Sequence, residues 1–145
     1  VEEYYGGIIT LDGHEVEVGI AFDEAEGSSL EASVVADLAV HLTKVESYIR
    51  TARSAIDQQF ENSDEDEDCI VRDYIEHHID EIASLSDKSD HAVLKMLRAV
   101  NCCFCPFDDE DYIHVEYSLG FDVTDYVLCV KMDKQGEVQD IDMES

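Results

Sequence analysis

The sequence predicts an α+β fold: an antiparallel sheet of about five to six strands packed against three helices, in the order ββ-ααα-βββ(β). Three observations carry that reading. Apolar residues alternate with period two at both ends of the chain, they recur at three- and four-residue steps through the middle, and turn residues separate the segments. At 145 residues, the length suits a single domain spanning residues 1–145, with enough chain to bury a core.

The first two strands read as a hairpin. Ile8, Ile9 and Leu11 lead into Asp12-Gly13, a favoured type I′ pair, and residues 14–22 then alternate. Val16, Val18, Ile20 and Phe22 fall on one face and Glu15 and Glu17 on the other, the pattern of a sheet with one buried and one wetted side. Ser28 and Ser29 are candidate N-caps, with Glu31 in the first turn. The series Val34, Leu38, Leu42, Val45, Ile49, Ala52, Ile56, Phe60 then predicts one long amphipathic helix. A second helix starts at the acidic block 64–68, whose carboxylates complement the macrodipole, and turns Ile70, Tyr74, Ile75, His78, Ile79 and Ile82 inward. A third, shorter one starts at Ser89 or Asp90, with Val93, Leu94, Leu97 and Val100 facing the core. Strands return at 101–105, stopped by Pro106, and at 112–119, 127–130 and 138–143. Asp133-Lys134-Gln135-Gly136 is the turn joining the last two.

The charge bounds the function. The chain carries 36 acids against 9 bases, a formal charge of −27, yet its composition is 45% hydrophobic, which a disordered acidic tail would lack. Self-repulsion at that density lowers the stability of the compact state, so the field has a use, and the plainest is fast, tight encounter with a cationic partner. Acidity for solubility is the alternative. The acids come in blocks: Asp64, Glu65, Asp66, Glu67 and Asp68; Asp108, Asp109, Glu110 and Asp111; and Asp140, Asp142 and Glu144. Most bases lie between Lys44 and Arg98. Binding nucleic acid needs clustered Lys and Arg, so that partner is disfavoured, as are anionic membranes. No apolar run approaches the roughly 18 residues of a membrane span, and no basic segment precedes an apolar one as in a signal peptide. The expected location is the cytoplasm, although the sequence begins at Val1 without a Met and leaves open what precedes it.

No reactive constellation closes. Asp64-x-Asp66-x-Asp68 has the opening spacing of a calcium loop, but Cys69 replaces the obligatory Gly and Ile75 the bidentate Glu. Asp73, His77 and Glu81 share a helical face with no second His-rich segment to complete a site, and His78 on the apolar stripe reads as a core histidine. Five cysteines are an odd number, and Cys102-Cys103-Phe104-Cys105 suits neither a disulfide framework nor a C-x-x-C pair, so reduced thiols are expected. On a strand, Cys103 and Cys105 point to one face and Cys102 and Phe104 to the other, so zinc would need Cys69 or Cys129 as well. No nucleophile elbow and no Gly-rich phosphate loop occurs. The expectation is a protein that is not an enzyme and holds no metal or cofactor.

The segment Thr124-Asp125-Tyr126-Val127-Leu128-Cys129-Val130-Lys131-Met132-Asp133, Gly136, and the ending Ile141-Asp142-Met143-Glu144-Ser145 resemble an uncharacterised bacterial family, domain of unknown function two-thousand-and-four. The Asp12-Gly13 hairpin and Val71-Arg72-Asp73-Tyr74-Ile75-Glu76-His77-His78 are similar too. The resemblance implies a small cytoplasmic bacterial protein of the kind encoded beside secreted polymorphic toxins, hence an immunity role. The expected function is an antitoxin that neutralises a cognate toxin with a basic surface, such as a nuclease-type effector; the alternative is a regulatory or adaptor domain. The expected contacts are the blocks Asp64, Glu65, Asp66, Glu67, Asp68 and Asp108, Asp109, Glu110, Asp111. Phe107 or Tyr112 beside the second block is the candidate exposed anchor, with a place in the core as the alternative for either ring.

Overall fold

The computed structural model describes residues 2–23, 32–62, 69–78, 89–106, 108, 110–120 and 123–144. Its strands are β1 (Glu2–Leu11), β2 (His14–Asp23), β3 (Arg98–Phe104), β4 (Ile113–Ser118), β5 (Val127–Met132) and β6 (Val138–Glu144). Its helices are α1 (Ala32–Leu42), α2 (Val45–Asn62), α3 (Ile70–His78) and α4 (Asp90–Met96). The strands lie side by side in chain order, β1-β2-β3-β4-β5-β6.

Two features depart from the expected layout. The sheet is mixed, because β2 and β3 run parallel while every other neighbouring pair is antiparallel. A helical crossover between adjacent strands returns the chain to the end it started from, which makes the pair parallel. The described residues also hold four helices rather than three, since the expected long helix breaks at Thr43-Lys44. There the Thr43 hydroxyl donates to the Val40 carbonyl at 2.6 Å, and the Lys44 N–H reaches only three residues back, to His41 O at 2.9 Å. A threonine side chain that takes a backbone carbonyl competes with the helical ladder. The apolar spacing survives the break because both helices bury the same side: Leu38 and His41 from α1, Val45 and Tyr48 from α2. Leu42 falls off that stripe and is 41% exposed.

All four helices cover one face of the sheet and share one core with it. Ile56, Phe60, Val71, Tyr74 and Ile75 meet Cys102, Phe104, Val115, Leu128 and Val130, all fully buried. Burying these large side chains supplies the main stabilisation, roughly 1.5–3 kcal/mol for each of the larger ones. Tyrosine hydroxyls tie the layers together: Tyr117 donates to Ile49 O and Tyr74 to Tyr126 O, each at 2.6 Å. His78 is fully buried and satisfied, its Nδ1–H donating to Tyr74 O at 2.6 Å and its Nε2 hydrogen-bonded with the Thr124 hydroxyl at 2.8 Å. That matches its reading as a core histidine. The turn and the cap have the geometry their residues dictate. Asp12 and Gly13 both have positive φ, 52° and 82°, as a type I′ turn requires. Ser89 caps α4, its hydroxyl accepting from the Ala92 N–H at 3.2 Å.

Candidate functional site

The face of the sheet away from the helices is where the chain's chemistry collects. Because side chains alternate along each strand and paired residues share a face, the register defines two rows across it. One runs Ile8, Glu17, Asn101, Glu116, Cys129, Asp142. The other runs Gly6, Gly19, Cys103, His114, Lys131, Asp140. Glu15 follows on β2 and Glu144 on β6, opposite Val127. No described helix packs there, and Val127 and Cys129, though buried, lie outside the core.

Six carboxylates thus share this face: Glu15, Glu17, Glu116, Asp140, Asp142 and Glu144. Lys131 on β5, beside the edge strand, is the base among them, 3.2 Å from Asp142 and 3.7 Å from Glu144, and the hydrogen bond it donates to Asp142, followed by the nearby carboxylates, holds its ammonium above the ordinary value. Glu116 is oriented by Asn101, whose amide donates to it at 2.9 Å. Arg98 stands at the end of β3, at the margin of the face.

The thiols between these carboxylates are poor nucleophiles. The Cys103 thiol is pushed up first by its hydrogen bond with Cys105 and then by burial. Burial pushes up Cys129, with Glu144 and Glu116 adding to it, and on the core side it takes Cys102 up to about 12. Only thiolates attack or ligate strongly. All five cysteines are free, with Cys102 and Phe104 in the core and Cys103 and Cys105 facing the other way, as the alternation predicted. Among the described residues, no group of three or more His, Cys, Asp or Glu side chains is placed to hold a metal.

The expected contact residues fare unevenly. Asp64, Glu65, Asp66, Glu67 and Asp68 lie outside the described residues, as do Phe107 and Asp109. Asp108, Glu110 and Asp111 occupy the β3–β4 connection, where the Asp108 carboxylate accepts from the N–H groups of Glu110 and Asp111 at 3.2 and 3.1 Å. One acid of the block therefore shapes its own turn. Of the two places the sequence allowed, Tyr112 takes the core: at 1% exposure it is not an exposed anchor. It sits 4.7 Å from the His41 imidazole and 6.3 Å from Phe104, centroid to centroid, with Lys134 Nζ 5.9 Å away. Just before β4 the alternation has not begun, so Tyr112 and Ile113 are both buried. The sequence placed Glu15 and Glu17 on a wetted face and Asp140, Asp142 and Glu144 in an acidic block, without relating either to Glu116. Only strand pairing shows that they form one surface.

No described helix is long and apolar enough to cross a membrane. Comparison with models of protein families, with curated proteins and with solved structures finds no match to this chain, so the reading of the site rests on its own chemistry.

Proposed function

We propose that this protein is an immunity-type binding protein of the cytoplasm, which neutralises a cognate toxin by laying its acidic sheet face over a basic cleft. The observation that supports this most directly is a sheet face that no described helix covers, carrying six carboxylates on β2, β4 and β6 and, on β5, one lysine already paired with two of them. Carboxylates fixed on a rigid sheet are preorganised, which lowers the ordering cost of association. A nuclease-type toxin must hold phosphates with Lys and Arg, so its active site complements such a surface. Ile8, 62% exposed on the same row as Glu17 and Glu116, supplies an apolar contact beside the charges. Asp108, Glu110 and Asp111 stand at one end of the sheet as a charged rim. The proposal rests on the sheet face, since no family model matches the chain.

The test is copurification with the product of the adjacent reading frame, followed by stopped-flow association. The on-rate is expected to fall by one to three orders of magnitude between low and high salt, with dissociation changing much less. Reversing the exposed acids together (Glu15→Lys, Glu17→Lys, Asp140→Lys) is expected to slow association about tenfold or more. A triple variant that associates at the original rate would remove the sheet face from the interface, and an on-rate indifferent to salt would remove steering.

A further inference from the structure

The chain's scarce bases converge on a second place. The tip of the β1–β2 hairpin, α2 and the junction of α4 with β3 frame a cleft of about 490 Å³, inside the roughly 300–1,000 Å³ range of small-molecule sites. Its floor is apolar, formed by the buried Val16, Ile49, Leu97 and Tyr117. Its walls carry Arg50, Arg53, Lys95 and Arg98 against a single acid, Asp12. In a chain where 36 acids outnumber 9 bases, the lining inverts the ratio.

The four cations are held differently. Arg53 is fixed, its guanidinium donating to Leu94 O and Leu97 O at 2.9 Å each, with Asp57 at 3.2 Å. Arg50 lies at the mouth, bound to Glu46 at 2.7 Å and reaching Asp12 at 3.7 Å. Lys95 and Arg98 are exposed and make no ion pair with any described residue. Two cations without an ion pair among the described residues, on either side of Leu97 and above an apolar floor, match a ligand with an anionic head and an apolar body. Folding alone gives no account of them, since exposed charges without partners contribute little to stability.

We propose that this cleft binds a small amphipathic organic acid, its anionic oxygens held by Lys95 and Arg98 and its apolar body lying on Ile49, Leu97 and Tyr117. The site uses none of the six carboxylates of the sheet face and stands independently of the antitoxin reading. The test is a ¹H–¹⁵N NMR titration of the whole chain with 2-naphthoate, 1-naphthyl phosphate, inorganic phosphate and the neutral 2-naphthalenemethanol. Both naphthyl acids are expected to give saturable shifts confined to residues 11–16, 49–54 and 95–99, and the tighter of the two identifies a carboxylate or a phosphate head. The alcohol and inorganic phosphate are each expected to bind at least about tenfold more weakly. The double variant K95E/R98E is expected to lose at least about tenfold in affinity for the acids while its other cross-peaks stay in place. An alcohol that binds as tightly as the acids, shifts scattered over the surface, or undiminished binding by the double variant would overturn the proposal. So would inorganic phosphate binding as tightly as its naphthyl ester.

Discussion

Gly136 stands at φ 83° in the turn between β5 and β6, and a Cβ there would lie 2.9 Å from Tyr48 Cε1. Gly136→Ala therefore combines left-handed strain with displacement of a ring that shares a 2.6 Å hydrogen bond with His41. The expected loss is about 1–3 kcal/mol. Gly13 has the same conformation, φ 82°, but nothing within 4 Å of its would-be Cβ, so Gly13→Ala should lose only the conformational part, about 1 kcal/mol. Thermal melts of the two variants decide it, and equal losses would acquit Tyr48. His41 carries a second prediction. Burial holds its imidazole below the ordinary value, Lys44 and Lys134 add to the effect, and Asp37 opposes it. As pH falls through the unfolded value near 6.5, the unfolded chain takes up the proton first, so stability present above that pH is lost below it. Melting temperatures of the wild type and His41→Phe, followed from about pH 7.5 to 5, should show the wild type losing more. Parallel curves would mean that the ring takes no part. Neither the Tyr48–Gly136 contact nor the burial of His41 was legible in sequence, because each depends on residues far apart in the chain.

Elements were easier to read than their arrangement. Period-two alternation located β2 and β4, and turn chemistry located the Asp12-Gly13 and Asp133–Gly136 hairpins, because those signals act over a few residues. The α1–α2 break was hidden for a physical reason. Leu38, Val45, Ile49 and Ala52 keep a helical spacing across Thr43-Lys44, and a periodicity argument sees the shared buried side rather than the interrupted ladder between. The parallel pairing of β2 with β3 was invisible for the opposite reason, since nothing local to either strand encodes a partner about eighty residues away. The acidic face follows the same logic. Each strand shows which of its residues face outward, but only the pairing joins Glu17 to Glu116 and Asp142.

Across the whole molecule, the −27 charge is organised rather than merely large. Carboxylates occupy the outward rows of β2, β4 and β6, while four of the nine bases line one cleft beside the hairpin tip. Fields of opposite sign on one small chain act over different ranges. The net negative field reaches out to about a Debye length, roughly 8 Å at physiological salt, whereas the cationic cleft is felt only at contact. A basic molecule would thus be drawn from a distance, while a small acid would have to enter against the general repulsion.

The parallel join also has a kinetic meaning. Only the register from Glu17↔Asn101 to Ile20↔Phe104 links the β1–β2 hairpin to the remainder of the sheet, and closing the long loop between those strands is entropically dearer than forming either hairpin. The expected outcome is that the hairpin, although Val16 and Val18 join the common core, behaves as a cooperative unit distinct from the β3–β6 meander and opens first. Native-state hydrogen exchange should find the amides of β2 opening at lower free energy than those of β4 and β5, and uniform protection would mean a single unit. Glu15 and Glu17 of the acidic face and Leu11, Asp12 and His14 of the cleft all belong to the hairpin or its turn. One undocking event would dismantle both surfaces together, so a ligand for either one should slow exchange at the other.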